Sequence, residues 1–200
     1  MKGEPPTPPP PGEPGRERAL LDLSALMQFT ERVSARIHGA GSPEEIFRLV
    51  KEEFLASGRY TMNVLLLAED GTALKLAESS VPPEILRAME EVAGASLADY
   101  RIELSRSSVF RRVVVEEETV TADGAVILGE LLPPQLVQEL LGALPVGRQP
   151  SLITPLKKGE RVIGVLTVTA PELTEYFVPS VRNLALHLGR LPNRLSLIHI

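Results

Sequence analysis

Residues 151–166 read SLITPLKKGERVIGVL, and this stretch carries the clearest local signal in the chain. Two apolar runs, residues 152–157 and 161–169, meet across Lys158-Gly159, a pattern typical of a β-hairpin. Because proline has no N–H group for a sheet ladder, Pro155 marks an edge or a bulge in the first strand. The stretch therefore predicts a pair of antiparallel strands.

Upstream of this hairpin, the sequence predicts two helices followed by a second hairpin. Apolar residues recur at helical intervals from 19 to 38, and Gly39 and Gly41 stop the pattern. Ser42-Pro43-Glu44-Glu45 is a helix start with an N-cap serine and a proline at the first position, and it predicts a helix to about residue 56. The second hairpin pairs residues 60–68 with 73–79 across a turn that contains Asp70-Gly71.

Shorter elements fill the middle of the chain, and one more helix follows the last strand. Residues 107–115 fit either a strand or a helix; a capping serine favours the helix. The other predictions are a helix over 82–94, a strand over 100–104, a strand over 119–121 before an Asp123-Gly124 turn, a helix over 134–141, and a final helix with Val181, Leu184, Ala185 and Leu188 on one stripe.

Composition excludes several classes of function. The formal charge of −5 and the pI near 5.4 give no basic excess for nucleic acid, and no apolar stretch is long enough to cross a membrane, so we predict a cytoplasmic protein. The chain has no cysteine, and its three histidines lack the close spacing of metal ligands. We therefore expect no metal site, no cofactor, no catalytic residues and no enzymatic activity.

The two ends of the chain differ in composition from the rest. Residues 1–18 form a Pro-rich stretch that we expect to be disordered, which leaves residues 19–191 as one domain. Residues 195–200, LSLIHI, match the translation of a transposase end sequence used in sequencing adapters. We therefore regard residues 192–200 as a doubtful C-terminus and expect the natural protein to continue into an output domain.

The closing hairpin resembles that of GAF domains, in which a strand ending in Pro-Leu turns through Gly into Val-Ile-Gly-Val-Leu. Ser42-Pro43-Glu44-Glu45-Ile46 resembles the start of the second GAF helix, and Arg112-Val113 with Glu118-Thr119-Val120 resembles the step from helix to strand in the GAF middle. The similarity extends to GAF modules at the N-terminus of sensor histidine kinases that also carry PAS domains. It covers about residues 20–191.

This resemblance implies an α+β fold with a five- or six-stranded antiparallel sheet. The first, second and last helices would lie on one face, and short helices would cover a ligand pocket on the other. The cyclic-nucleotide signature of some GAF domains is absent, and the missing cysteine disfavours thioether attachment of a chromophore. The family also implies a homodimer, and we expect it to form through the first and last helices, with Leu20, Leu23, Met27, Leu184 and Leu188 at the interface.

Strand alternation and the family layout together nominate the ligand-binding residues. Thr61 and Asn63 share one face of the first hairpin strand, and Thr167 and Thr169 share one face of the last strand. A buried Asn63 needs hydrogen-bond partners, which a ligand or nearby backbone would supply. Three further candidates come from the middle that would cover the pocket: Tyr100, Arg101 and Arg111, although exposure at the surface is the alternative for each arginine.

Two hypotheses for function follow. The first is a sensory input domain that binds an unknown small molecule, dimerises, and controls a histidine kinase; a transcription regulator or a cyclic-dinucleotide enzyme is the alternative output. The second is a purely structural dimerisation module whose pocket is filled by its own side chains. A cavity of a few hundred cubic ångströms above Asn63 and Thr167 would separate the two.

Overall fold

This computed structural model describes residues 13–39, 43–97, 99–143, 149–170 and 177–189. Helices and strands occupy most of these residues. In chain order they are α1 (Glu13–Gly39), α2 (Pro43–Ser57), β1 (Thr61–Leu67), β2 (Ala73–Ser79), α3 (Pro83–Ala93), β3 (Arg101–Glu103), α4 (Ser108–Val115), β4 (Val120–Asp123), α5 (Gly124–Leu131), α6 (Pro134–Ala143), β5 (Pro150–Lys158), β6 (Arg161–Thr169) and α7 (Phe177–Gly189).

The six strands form one antiparallel sheet in the order β3-β2-β1-β6-β5-β4. Both predicted hairpins, β1–β2 and β5–β6, are confirmed, and β1 pairs with β6 at the centre of the sheet. Strand β4 pairs with β5 only from Pro150 to Ile153, and a bulge follows at Leu156/Lys157. Pro155 therefore lies where β5 has a partner strand on one side only, as its missing N–H requires.

Helices α1, α2 and α7 pack on one face of this sheet, as predicted. Their inner residues share a buried cluster with Met62 and Val64 of β1 and with Leu166 and Val168 of β6. Aromatic rings join the helices at this face. Phe29 of α1 meets Phe54 of α2 at 4.9 Å between ring centroids, edge to face, and lies 4.7 Å from the ring of Tyr60.

A second apolar cluster lies on the other face of the sheet. Phe110 and Val113 of α4 pack there with Leu74, Ile153 and Val165. The hydroxyl of Ser107 accepts a hydrogen bond from the Phe110 N–H at 3.1 Å, which caps α4 and confirms the helical interpretation of residues 107–115. Alternate side chains of the central strands thus pack into two separate apolar clusters, one on each face of the sheet.

Two boundaries differ from the sequence prediction. Helix α1 begins at Glu13, inside the stretch predicted to be a disordered tail over 1–18, because Pro14 is compatible with the first helical turn and the following residues favour helix. The predicted turn at Asp123-Gly124 is wrong: β4 extends to Asp123, and α5 begins at Gly124. Residues 1–12 and the doubtful C-terminus at 192–200 lie outside the described residues, as does Ser42.

Candidate functional site

A cavity of about 410 Å³ lies on the sheet face opposite α1, α2 and α7. Its floor is formed by β1 and β6, with Ser151 of β5 at one side, and its roof by α3 and α5. Strand alternation explains this placement, since Met62 and Val64 point into the helical core while Thr61 and Asn63 point into the cavity.

A row of polar side chains crosses three strands, and two of its members, Asn63 and Thr167, line this floor. Asn63 of β1 is paired directly with Ser79 of β2 and with Thr167 of β6. The Ser79 hydroxyl donates to Asn63 Oδ1 at 2.7 Å, and Asn63 Nδ2 donates to Thr167 Oγ1 at 3.2 Å. Both the oxygen and the nitrogen of the Asn63 amide are thereby hydrogen-bonded. Ser79 and Thr167 are buried, and buried hydroxyl groups need such partners.

A second polar row runs beside the first. Thr169 of β6 is paired with Thr61 of β1 and with Ser151 of β5. The hydroxyls of Ser151 and Thr169 are 2.7 Å apart and hydrogen-bonded, and all three side chains line the cavity. The floor is therefore polar but uncharged over two adjacent rows.

Aliphatic side chains make the roof. Ile85, Leu86 and Met89 of α3 line the cavity opposite the floor, together with Ile127 and Leu128 of α5. A polar floor under an apolar roof is the usual composition of a small-molecule site, in which a few polar groups fix orientation and apolar area supplies affinity.

Two hydrogen-bonded contacts hold α5 in place over the cavity. The Tyr100 hydroxyl donates to the carbonyl of Leu131, the last residue of α5. The carboxylate of Glu130 accepts hydrogen bonds from the hydroxyls of Ser107 and Ser108 and, at 3.1 Å, from the Val109 N–H at the start of α4. Partial burial raises the pKa of Glu130, but these hydrogen bonds together lower it by more, so the net pKa lies below its ordinary value.

Solved structures with this architecture include GAF domains and a segment of a chemotaxis protein. The GAF domain of a phosphoenolpyruvate-protein phosphotransferase from Coxiella burnetii is 13% identical, with a TM-score of 0.57 over 83% of this chain and 91% of that one. The phycocyanobilin-bound GAF domain of a cyanobacterial phytochrome is 17% identical, with a TM-score of 0.54 over 87% and 98%. A methyl-accepting chemotaxis protein, residues 122 to 287, is 17% identical, with a TM-score of 0.54 over 83% and 98%.

The chain has the GAF fold. Neither the protein-family models nor the curated proteins compared with this chain gave a match in sequence. The predicted α+β architecture, with helices on one face of an antiparallel sheet, is confirmed. Within the described ranges, no helix of this GAF fold is long and apolar enough to span a membrane.

Most of the residues nominated from the sequence meet in this GAF cavity. Thr61, Asn63, Tyr100, Thr167 and Thr169 all line it. Their role in binding stays a prediction. Asn63 has hydrogen-bond partners within the protein, as the alternative interpretation expected, but these are side chains and not backbone.

The two nominated arginines do not line the cavity. Arg101 points away from it on edge strand β3, while the next residue, Ile102, points in. Its guanidinium contacts Asp70 at 3.0 Å and Glu103 at 3.4 Å. Hydrogen bonds from the Thr72 backbone and side chain, and then from Arg101, lower the pKa of Asp70 to about 2.

Arg111 is exposed on α4, because its neighbour Phe110 takes the inward position of that turn. The structure therefore corrects the prediction that Arg101 and Arg111 lie at the pocket. Both residues belong to the predicted middle segment, but each side chain points outward from its element.

Sequence reasoning missed three polar lining residues and one helix of the roof. Ser151 lies opposite Thr169 in the β5–β6 register, so the alternation that nominated Thr169 would also have nominated Ser151. Arg59, just before β1, and Gln149, just before β5, line the cavity as well. Helix α5 was missed because its sequence GAVILGEL is apolar on nearly every side and shows no amphipathic period.

A second, smaller groove of about 280 Å³ lies between α1 and α7 on the helical face. Phe29 and Val33 of α1 line it, with Val181 and His187 of α7. The predicted interface needs correction here: Leu184 and Leu188 are 8% and 1% exposed, because they pack into the monomer's own core. The exposed apolar residues of these two helices include Leu21, Met27 and Leu186; the side chains of Leu20 and Leu23 lie outside the described set.

Proposed function

We propose that this chain is a sensory input domain that binds a small molecule in the cavity above Asn63 and Thr167. The open cavity is the observation that carries this proposal. Its volume of about 410 Å³ falls within the range of roughly 300–1,000 Å³ that ligand sites occupy. The alternative, a purely structural module, expects this space to be filled by the protein's own side chains, so the open cavity favours binding.

A thermal-shift screen of metabolites against the whole chain tests the proposal. A ligand that binds only the folded state stabilises it by mass action, by about 2.7 kcal/mol at a hundredfold excess over Kd. Such a ligand therefore raises the melting temperature of the chain. Asn63→Leu should abolish that shift because it removes the centre of the polar row. Arg111→Gln, an exposed position outside the cavity, should keep it. A shift that survives Asn63→Leu unchanged would place the ligand elsewhere.

We also propose that the chain forms a homodimer through α1 and α7. The support is the exposure of large apolar side chains on these helices, with Met27 at 55% and Leu186 at 54% exposed. A contiguous exposed apolar patch marks an interaction surface, and the proposal is that Met27 and Leu186 belong to one such patch.

The proposed output is a histidine kinase, with a transcription regulator or a cyclic-dinucleotide enzyme as the alternative. A ligand acts only by shifting the populations of a connected element, so an input domain requires an output. The chemotaxis protein and the cyanobacterial phytochrome among the similar structures support such a role, and we assign no catalytic step to this chain itself. Sequencing the source locus past the codon for Leu191 tests the assignment: an in-frame kinase domain supports it, and a different output domain contradicts it.

A further inference from the structure

The polar floor of the cavity carries no charged side chain. Among the described residues that line the cavity, Arg59 alone is charged, and none is acidic. Arg59 lies two residues before Thr61, with its guanidinium 6.0 Å from the centre of the Tyr60 ring, and neither polar row contains a charged side chain. An ionised ligand group placed over Asn63 and Thr167 would therefore lose its water without gaining a counter-charge from these rows. This arrangement favours a ligand whose polar edge is neutral.

The first polar row has a direction. The Val81 N–H donates to Ser79 Oγ at 3.1 Å, the Ser79 hydroxyl donates to Asn63 Oδ1, and Asn63 Nδ2 donates to Thr167 Oγ1. Thr167 is thus the acceptor at the end of the row. In the part of the chain that the structure describes, the proton of its hydroxyl has no protein acceptor and is available to a molecule in the cavity.

The second polar row contains another hydroxyl proton without an acceptor in the described part of the chain. Ser151 and Thr169 share one hydrogen bond, which uses one of their two hydroxyl protons. The other has no second acceptor among the described residues. Thr167 and Thr169 are two residues apart on β6, so the two polar rows lie about 7 Å apart along the strand.

Resting on the binding function proposed above, we infer that the cavity selects an uncharged, largely apolar molecule with two hydrogen-bond acceptors on one edge. One acceptor receives the Thr167 hydroxyl proton, and the other receives the spare proton of the Ser151–Thr169 pair. The apolar body of the molecule lies against α3 and α5. A molecule without acceptors would cover both donors and leave them unpaired, which lowers its affinity.

Three matched aromatic probes test this selection with the whole chain by equilibrium dialysis. N-methyl-1,8-naphthalimide is uncharged and has two carbonyl acceptors on one edge; acenaphthene has a similar body and no acceptor; 1,8-naphthalenedicarboxylate places two charges on that edge. We expect the imide to bind about tenfold or more tightly than acenaphthene, and the dicarboxylate to bind weakest.

Deleting hydroxyl groups in each polar row identifies the groups that donate to the imide. Thr167→Val alone, and Ser151→Ala combined with Thr169→Val, should each lower imide affinity about fivefold to tenfold and leave acenaphthene binding unchanged, because only the double change removes the spare proton of the Ser151–Thr169 pair. Thr154→Val is the matched control, because its buried hydroxyl bonds to Thr119 and lies outside the cavity lining. The Ser151→Ala and Thr169→Val double variant leaves the Asn63 row intact, so it tests the inference if Thr167→Val does not fold.

The outcomes separate this inference from the proposed function. Equal binding of imide and acenaphthene, sensitive to Asn63→Leu, overturns the inference and leaves the binding function standing. Strongest binding of the dicarboxylate also overturns it. If none of the probes binds while a screened metabolite does, the inference again fails alone; if no probe and no metabolite binds, both fail.

Discussion

Glu130 shows how one carboxylate positions a helix of the cavity roof. It receives three hydrogen bonds from Ser107, Ser108 and Val109, at the N-terminal end of α4, where backbone N–H groups have no partner within the helix. Neighbouring residues of α5 line the cavity. The contact therefore links the start of α4 to the part of the molecule that would lie over a ligand.

The Glu130 contact should make stability depend on pH. Its pKa is lower in the folded chain than its ordinary value, so its contribution is complete above the unfolded pKa and is lost as pH falls through the folded pKa. We expect Glu130→Gln to cost about 1 kcal/mol near pH 7, with the difference from the unmodified chain shrinking below about pH 5. Urea unfolding at a series of pH values measures this.

Glu160→Gln is the control for that series. Glu160 is exposed in the β5–β6 turn and has no described hydrogen bond, so its replacement should leave the free energy of unfolding within about 0.5 kcal/mol at each pH. A loss of stability in Glu130→Gln that grows as pH falls would show that the carboxylate is not held as described.

At the level of elements, local sequence signals predicted both hairpins of the sheet and helix α3 of the roof, but they did not predict helix α5. The hairpins were predictable because alternation and a glycine turn fix strand, register and face together. Helix α5 was not, because an eight-residue apolar segment has no period that distinguishes it from a strand. Likewise, alternation placed Thr61 and Asn63 in the cavity, whereas the directions of Arg101 and Arg111 depend on tertiary contacts of short elements.

Helix α7 approaches strand β5 so closely that a side chain cannot fit between them at Gly189. A Cβ atom built there would lie 2.1 Å from the carbonyl oxygen of Lys157, which is backbone and cannot rotate away. We expect Gly189→Ala to lower the free energy of unfolding by about 1–3 kcal/mol, since α7 must shift from the sheet. Chemical denaturation measures the change.

The matched control for this close approach is Gly142→Ala. Gly142 lies inside α6, where an added Cβ meets no atom within 4 Å. Alanine is the better helix former, so this variant should be neutral or more stable by up to about 1 kcal/mol. Equal behaviour of the two variants would argue against the tight α7–β5 contact.

At the level of the whole molecule, β1 and β6 connect the cavity with the helical layer. Asn63 and Thr167 face the cavity, while their neighbours Met62 and Val168 pack beneath α1, α2 and α7. Because packed cores resist continuous deformation, a ligand that changes the spacing of these strands would also bias the packing of the helices. The proposed dimer interface lies on those same helices.

Dimerisation can be tested on the two exposed side chains of that interface. We expect the unmodified chain to have the mass of a dimer in light scattering, and Met27→Glu combined with Leu186→Glu to be monomeric at the same concentration, because charges at an apolar contact lose hydration without a partner. Val115→Glu changes an exposed residue of α4, outside the proposed interface, and should remain a dimer. A monomer mass for the unmodified chain at high concentration would contradict the proposal, and a dimer that persists in the double variant would place its interface elsewhere.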